Sequence, residues 1–463
     1  MVTSVVKPRV PTFTSAHALL DNGLHHGEPL WRPKPFHGNV GWRSTHSSLY
    51  RAAINLSDEE LRRLQRDGRA LHDFVCQHES SFAVVAETSA LLDEEAARFA
   101  PEASTAKGRD HIGIPGKKWD QVEAFASSIP KRRLPAVDYC AGKGFLSQRL
   151  VARGVAQSST CLELDEALIT AGRQLASRAS LPLSFSRTDV LGPRPLIPSD
   201  DPASCHVALH ACGGLHRSAL RNAVHAGAEL IAIAPCCFHK WPDGSDEANQ
   251  QWQPLSSTAA SHSKLSINYE ELRLACAGEA AAKRRDERLR LREMKWRLAF
   301  GVWHRRAHLR NRRKQQRSAS TTTASVDWSA ASRLPSVPLP LLSQGSSGEV
   351  SIDGFREFCK WGATVKGESL PMRRASGLEH AVEDGVWSDS EAEACLRIGE
   401  AHASKVARLE LVRHAYRRPL EQWLVLDLCL YMEEQGYAVT MKRFCEPLTS
   451  PRNLLVLGER SKA

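Results

Sequence analysis

The sequence predicts an α/β fold, an open and mostly parallel sheet covered by helices on both faces. Three observations carry that expectation. Between residues 134 and 236, five short apolar runs alternate with helix-patterned stretches, the rhythm of βαβ units. The first run, Ala136-Val137-Asp138-Tyr139, passes through the small-residue loop Cys140-Ala141-Gly142-Lys143-Gly144 into a helical pattern at Leu146, Leu150 and Val151. A strand, a tight turn and a helix start open a nucleotide-cofactor fold. Acids also recur where runs end, at Asp138, Glu163 and Asp189.

Taken in chain order, residues 1 to about 50 carry Pro, His and Trp and read as irregular. Ser57-Asp58-Glu59-Glu60-Leu61 is a helix start, with Ser57 as the cap and Glu60 at the capping-box position. Helical pattern continues with breaks to about Phe99. Gly113-Ile114-Pro115-Gly116 is a turn. It feeds a helix from Lys117, and if that helix packs over the sheet edge, Lys117, Lys118 and Trp119 come near the cleft. The second run, Ser159 to Asp165, ends in Glu163, 25 residues after Asp138. The third is Ser184 to Val190, the fourth starts at His206 and leads to His210-Ala211-Cys212-Gly213, and the fifth is Glu229 to Pro235. Near the end, Leu420 to Glu434 is an apolar helix, and Tyr437 to Phe444 and Asn453 to Gly458 read as two more strands.

The loop constrains the ligand. Free N–H groups at a helix start favour an anionic group, and glycines admit close approach. A phosphate-binding Walker loop needs Gly at 137 and Ser or Thr after the lysine, but Val137 and Gly144 stand there. A dinucleotide fingerprint comes closer, with Gly142 and Gly144, but Ser147 takes the third small position. S-adenosylmethionine fits without that strain. Glu163 would then accept the ribose hydroxyls, and Asp189, with Val190 beside it, would read the adenine. Each acid also has a structural reading, as a helix cap or a solvated loop residue.

Asp138 to Gly144, then Ala208-Leu209-His210-Ala211-Cys212-Gly213, then Pro235-Cys236-Cys237-Phe238-His239 together resemble a class I S-adenosylmethionine-dependent methyltransferase. More narrowly they are similar to the methyltransferase-like 25 group and its bacterial relatives, as is the tail from Arg417 to Leu455. The resemblance implies a Rossmann-like seven-stranded methyltransferase sheet closed by the last two strands, one of them antiparallel. It also implies an N-terminal helical region and a large, mainly helical insertion before those strands. Cys140 departs from the class by standing where its first glycine lies.

The implied organisation is an N-terminal region over 1–107, a methyltransferase core over 108–240 and 420–463, and insertions between. These are a basic helical stretch over 241–317, a linker over 318–350 and a second helical part over 351–419. Residues 283–317 carry fifteen Lys or Arg against three acids, whereas the whole chain has a formal net charge of +10. The positive charge is therefore local. Leu289, Leu291, Trp296, Leu298, Phe300 and Trp303 are interleaved with it, so the stretch reads as a partly amphipathic helix broken at Gly301. Such a surface binds phosphate backbones, which makes RNA the expected partner through Lys283 to Arg317. The bland alternative is a solvated helix packed on a core by its apolar side. Residues 318–350, rich in Ser, Thr, Ala and Pro, read as a disordered linker. No signal peptide or apolar run of membrane-spanning length occurs, twelve cysteines in so long a chain predict free thiols or a metal site, and the expected location is cytoplasmic.

Chemistry is expected at the carboxyl ends of strands four and five. Methyl transfer is an in-line displacement, so the protein must align a nucleophile and exclude water. The catalytic candidates are His210, Cys212, Cys236, Cys237 and His239, with His210 able to accept a proton near neutral pH. The cofactor candidates are Asp138, Cys140, Gly142, Gly144, Glu163, Asp189 and Val190. These Cys and His types also bind zinc, but adjacent cysteines share one ion only with strain, so packing or substrate contact is expected and no metal is assigned. Three readings compete: a methyltransferase acting on RNA, one acting on a protein or small molecule, and a binding protein without turnover.

Overall fold

Alternating apolar runs do become a buried sheet. The computed structural model describes residues 11–38, 40–99, 116–192, 203–240, 251–277, 284–315, 334–335, 337, 342, 351–369 and 388–461. Its strands are β1 Leu134–Tyr139, β2 Ala156–Glu163, β3 Leu183–Arg187, β4 Cys205–Cys212, β5 Leu230–Cys236, β6 Tyr437–Arg443 and β7 Leu454–Arg460. They form one seven-stranded sheet in the order β3-β2-β1-β4-β5-β7-β6. The first five are parallel, and β7 runs antiparallel to both β5 and β6. Strand order reverses between β1 and β4, and a crevice opens there at the carboxyl edge of such a sheet.

The helices are α1 Phe13–His26, α2 Glu28–Trp31, α3 Ser47–Ile54, α4 Asp58–Arg66, α5 Gly68–His78, α6 Ala83–Arg98, α7 Gly116–Ser127, α8 Phe145–Ala152, α9 Glu166–Arg178, α10 Gly214–His225, α11 Ser257–His262 and α12 Tyr269–Cys276. After them come α13 Arg284–Gln315, α14 Ile352–Ser369, α15 Asp389–Ala415 and α16 Arg417–Glu434. Chain contacts divide these elements into two units. One holds residues 1–28, 68–281 and 414–463, and the other 29–67 and 282–413. The insertion is therefore joined by a piece of the N-terminal region, a division that composition does not suggest.

In the sheet unit, Val122, Phe125 and Ala126 of α7 and Leu146 and Leu150 of α8 bury one sheet face. They pack on Ala136, Val207, Leu209, Ala232, Ala234, Leu455 and Leu457, alternate residues of their strands. Helix α10 packs on β4 and β5, and α9 on β2 and β3. Helix α16 is buried nearly all round and packs on α1, β6 and β7.

The N-terminal stretch that reads as irregular is instead helical from Phe13. Ala16, Leu20 and Leu24 form its buried stripe, and Thr12 caps it through Ser15. Its buried polar residues hid the pattern, because their partners lie far off in sequence. His17 meets His262, and Asp21 accepts from Ser263 Oγ, Lys264 N–H and Trp423 Nε1. The expected capping box at Ser57 and Glu60 is present. Residues 113–115, where a turn is expected, lie outside the described residues.

In the second unit, α13 is continuous, so the expected break at Gly301 does not occur. Phe300, Val302 and Trp303 are buried around it, and that packing outweighs the roughly 1 kcal/mol helix penalty of glycine. Trp296, Phe300 and Trp303 pack with Phe355, Phe358 and Cys395. Of the 318–350 stretch, Leu334, Pro335, Val337 and Leu342 are described. Three of them are buried in the same cluster and so are not free linker, while the rest of the stretch lies outside the described residues.

Candidate active site

The cleft is assembled from turns that leave β1, β4 and β5. Three residues other than glycine have left-handed backbones at these strand ends: Cys140 at φ +58°, His210 at +69°, within the irregular end of β4, and Cys237 at +47°. L-residues adopt that region at an energetic penalty, and such residues cluster at functional sites. The turns brace one another. Gly213 N–H donates to Cys236 O, Gly214 N–H to Lys240 O and Lys240 N–H to Cys237 O. A Cβ on Gly213 would lie 2.0 Å from Lys240 O, which explains the glycine.

The β1 turn divides its residues by role. Asp138 is 2% exposed and points into the core, where it accepts from Ser147 Oγ at 2.8 Å. Ser147 in turn accepts from Ser159 Oγ and the Cys161 thiol. Burial pushes the Asp138 carboxyl up to about 7 against the opposing Ser147 hydrogen bond. Asp138 thus holds the start of α8 in place, which matches the structural one of its two readings. Cys140 is half-buried, and burial with the nearby Glu163 raises its thiol to about 12, so it stays neutral.

Gly142 and Gly144 differ. Gly142 has φ +59°, and nothing lies within 4 Å of where a Cβ would stand, leaving room for a ligand. Gly144 has φ +72° and abuts Phe185 and Cys161, so its smallness serves packing. Glu163, at the end of β2, accepts from Gly142 N–H at 2.8 Å and from the N–H groups of Leu164 and Asp165. Its carboxylate is thereby fixed beside the open glycine. Asp165 caps α9 instead. Asp189 is exposed and accepts from Leu191 N–H, whereas Val190 is buried and its carbonyl accepts from Ser218 Oγ. An open glycine stands beside a fixed carboxylate, with a second carboxylate, that of Asp189, two residues past the end of β3.

At the β4 and β5 ends, Cys212 and Cys236 pair in register, with their sulfurs 3.3 Å apart. The sulfurs of Cys212, Cys236 and Cys237 all lie within 4.8 Å of one another. Hydrogen bonds from the Cys212 and Cys236 thiols pull the Cys237 thiol below its ordinary value, and Arg452 and His239 add to this. The same bonds, with burial, push Cys236 far up. His210 stands exposed on the cleft wall, and desolvation with the charges of Lys118 and Arg452 lowers its pKa, keeping the ring neutral at pH 7. His239 lies edge-on to Tyr269 at 5.9 Å, and its Nδ1 is buried without a hydrogen-bond partner.

Sequence reasoning missed Arg452, Lys240 and Arg273. Their charges reach His239, and that of Arg452 reaches His210 and Cys237 as well. Arg452 arrives from the β6–β7 turn and donates to Cys276 O. Arg452 lies within the tail that shares the family resemblance, but nothing in its spacing ties it to a cleft more than 200 residues away. Lys118, on α7, does approach as expected, with its Nζ 5.0 Å from the Phe145 ring centre, while Trp119 stacks under Arg149. The side chain of Lys117 lies outside the described residues.

No helix among the described residues is long and apolar enough to cross a membrane. No curated protein matches the chain. Residues 117–242, from α7 to just past β5, match a family model described as a methyltransferase domain. That segment holds every candidate site residue expected from the sequence and supplies β1 to β5 of the seven-stranded sheet, so this part of the chain is similar to a methyltransferase domain.

Proposed function

We propose that the protein transfers a methyl group from S-adenosylmethionine to RNA. One arrangement carries this reading: the open Gly142 stands beside the fixed Glu163 carboxylate, while the charges of Lys118 and Arg452 reach His210 and those of Lys240, Arg273 and Arg452 reach His239. Gly142, Glu163 and Asp189 would hold the donor, which when bound supplies an electrophilic methyl on a sulfonium. The cations would draw in a phosphate backbone and position the acceptor. His210, neutral at pH 7, accepts a proton where the acceptor atom must lose one. The charge of residues 283–317 supports the same polyanionic partner, although much of it is engaged within its own unit. Arg292 donates to Leu342 O, Lys295 pairs with Glu400, and Arg297 bonds Glu293 and Leu334 O.

Two measurements test the reading separately. In calorimetry, wild type binds S-adenosylmethionine and Gly142→Asp does not; absent binding, or equal binding by the variant, removes the donor. Labelled methyl from the donor is then offered to RNA and protein fractions from cells lacking the gene. Label should enter RNA, and label confined to protein or small molecules overturns the acceptor. His210→Ala should slow transfer by about a hundredfold or more where proton removal is required.

A further inference from the structure

The three thiols at the ends of β4 and β5 are more than a packing cluster. We propose that Cys212, Cys236 and Cys237 form a three-thiolate site for a soft divalent ion of the zinc type, at the wall of the methyl-transfer cleft.

The objection from sequence is that neighbouring residues on a strand point to opposite faces, so Cys236 and Cys237 should diverge. The backbone removes it. Cys237 has φ +47°, and this left-handed turn ends the alternation and brings its sulfur back beside that of Cys236. Cys212, the register partner of Cys236 on the next strand, supplies the third. Sulfurs bound about 2.3 Å from one ion at tetrahedral angles lie about 3.8 Å apart. Here one pair is at 3.3 Å and all lie within 4.8 Å, so shifts of about an ångström or less complete the geometry.

One further observation favours an ion over three plain thiols. Three thiolates around a dication carry a net charge of −1, and Arg452, Lys240 and Arg273 surround this corner to offset it. An all-sulfur set selects zinc-type ions over magnesium, calcium or manganese. Binding releases the protons still held by the three thiols, and no redox change is involved. Three protein ligands leave a fourth position, the mark of a site that takes part in chemistry rather than one that only ties the fold. Cys212 and Cys237 are only half-buried, which keeps that position within reach of the cleft.

The test uses the full chain, purified without a histidine tag and kept reduced. Elemental analysis should find close to one zinc per chain, and after chelation one equivalent of cobalt should give thiolate-to-cobalt absorption that zinc abolishes. Cys212→Ser and Cys237→Ser should each lower bound metal to less than about a tenth of an equivalent, while Cys76→Ser retains it. If wild type takes up less than about a tenth of an equivalent of either ion, the site does not exist. Unchanged stoichiometry in both serine variants places the ion elsewhere, and a Cys212–Cys236 disulfide in place of metal also overturns the proposal. The cobalt spectrum of wild type decides the matter even if a variant fails to fold. Donor binding is measured independently, so failure here leaves the methyl-transfer reading standing.

Discussion

Asp138 shows how a residue's neighbours decide between roles that its position in the sequence leaves open. An acid at the end of the first strand reads equally well as a ligand contact or a structural anchor. The pairing with Ser147, nine residues on, and the burial of both groups favour the anchor. Its folded-state pKa of about 7 lies above the unfolded value near 4. Its contribution to stability is therefore fully present below about pH 4 and is lost as pH rises through 7. Asp138→Asn keeps an acceptor for Ser147 and removes the charge. Relative to wild type, the variant should gain on the order of 2 kcal/mol between pH 5 and pH 8 in urea unfolding. An equal stability difference at both pH values would mean that the carboxyl is not desolvated. Glu163 is the contrasting case. Its place at a strand end was legible because a carboxylate recurs about 20 residues along such folds, and the structure sets it against Gly142.

At the scale of elements, the strand–loop–helix opening was readable because glycine and small residues can only serve a few backbone shapes. The two glycines nevertheless serve different ends. Alanine at Gly144 would meet Phe185 at 2.9 Å with φ at +72°, so Gly144→Ala should destabilise the fold by about 2 kcal/mol through strain and overlap. Alanine at Gly142 meets nothing, and Gly142→Ala should lose only about 1 kcal/mol of stability while weakening donor binding more than Gly144→Ala does. Thermal melts paired with calorimetry separate the two, and the opposite ranking would reverse their roles. Helix α1 marks the limit of local reading. Its apolar spacing is ordinary, but buried His17 and Asp21 interrupt it, and the groups that satisfy them stand on α11, α16 and the segment after α11, more than 240 residues away. Likewise, Gly301 looks like a break in α13 until Trp296, Phe300 and Trp303 are seen to be the centre of a core.

Across the whole molecule, the sheet closes by drawing β6 and β7 from the far end of the chain, and Arg452 travels with them into the cleft. The pair itself was legible from strand patterning, but the delivery of a cation was not, since it depends on the turn between two strands. Positive charge consequently has two homes. Lys118, Arg273 and Arg452 belong to the sheet unit, whereas Arg288 and Arg290 are exposed on α13 in the other unit. The RNA reading assigns them different work, and salt dependence distinguishes them. Each contact with a single-stranded phosphate contributes about 0.7 to the slope of log affinity against log salt. Replacing Arg273 and Arg452 by glutamine should flatten that slope by about 1.4 and also depress methyl incorporation into RNA. On that reading, replacing Arg288 and Arg290 should flatten the slope to a similar degree with donor affinity unchanged, because residues of the other unit would recruit the polymer and not touch the reacting groups. If neither pair alters the slope, the charge serves the fold alone and RNA is not the acceptor.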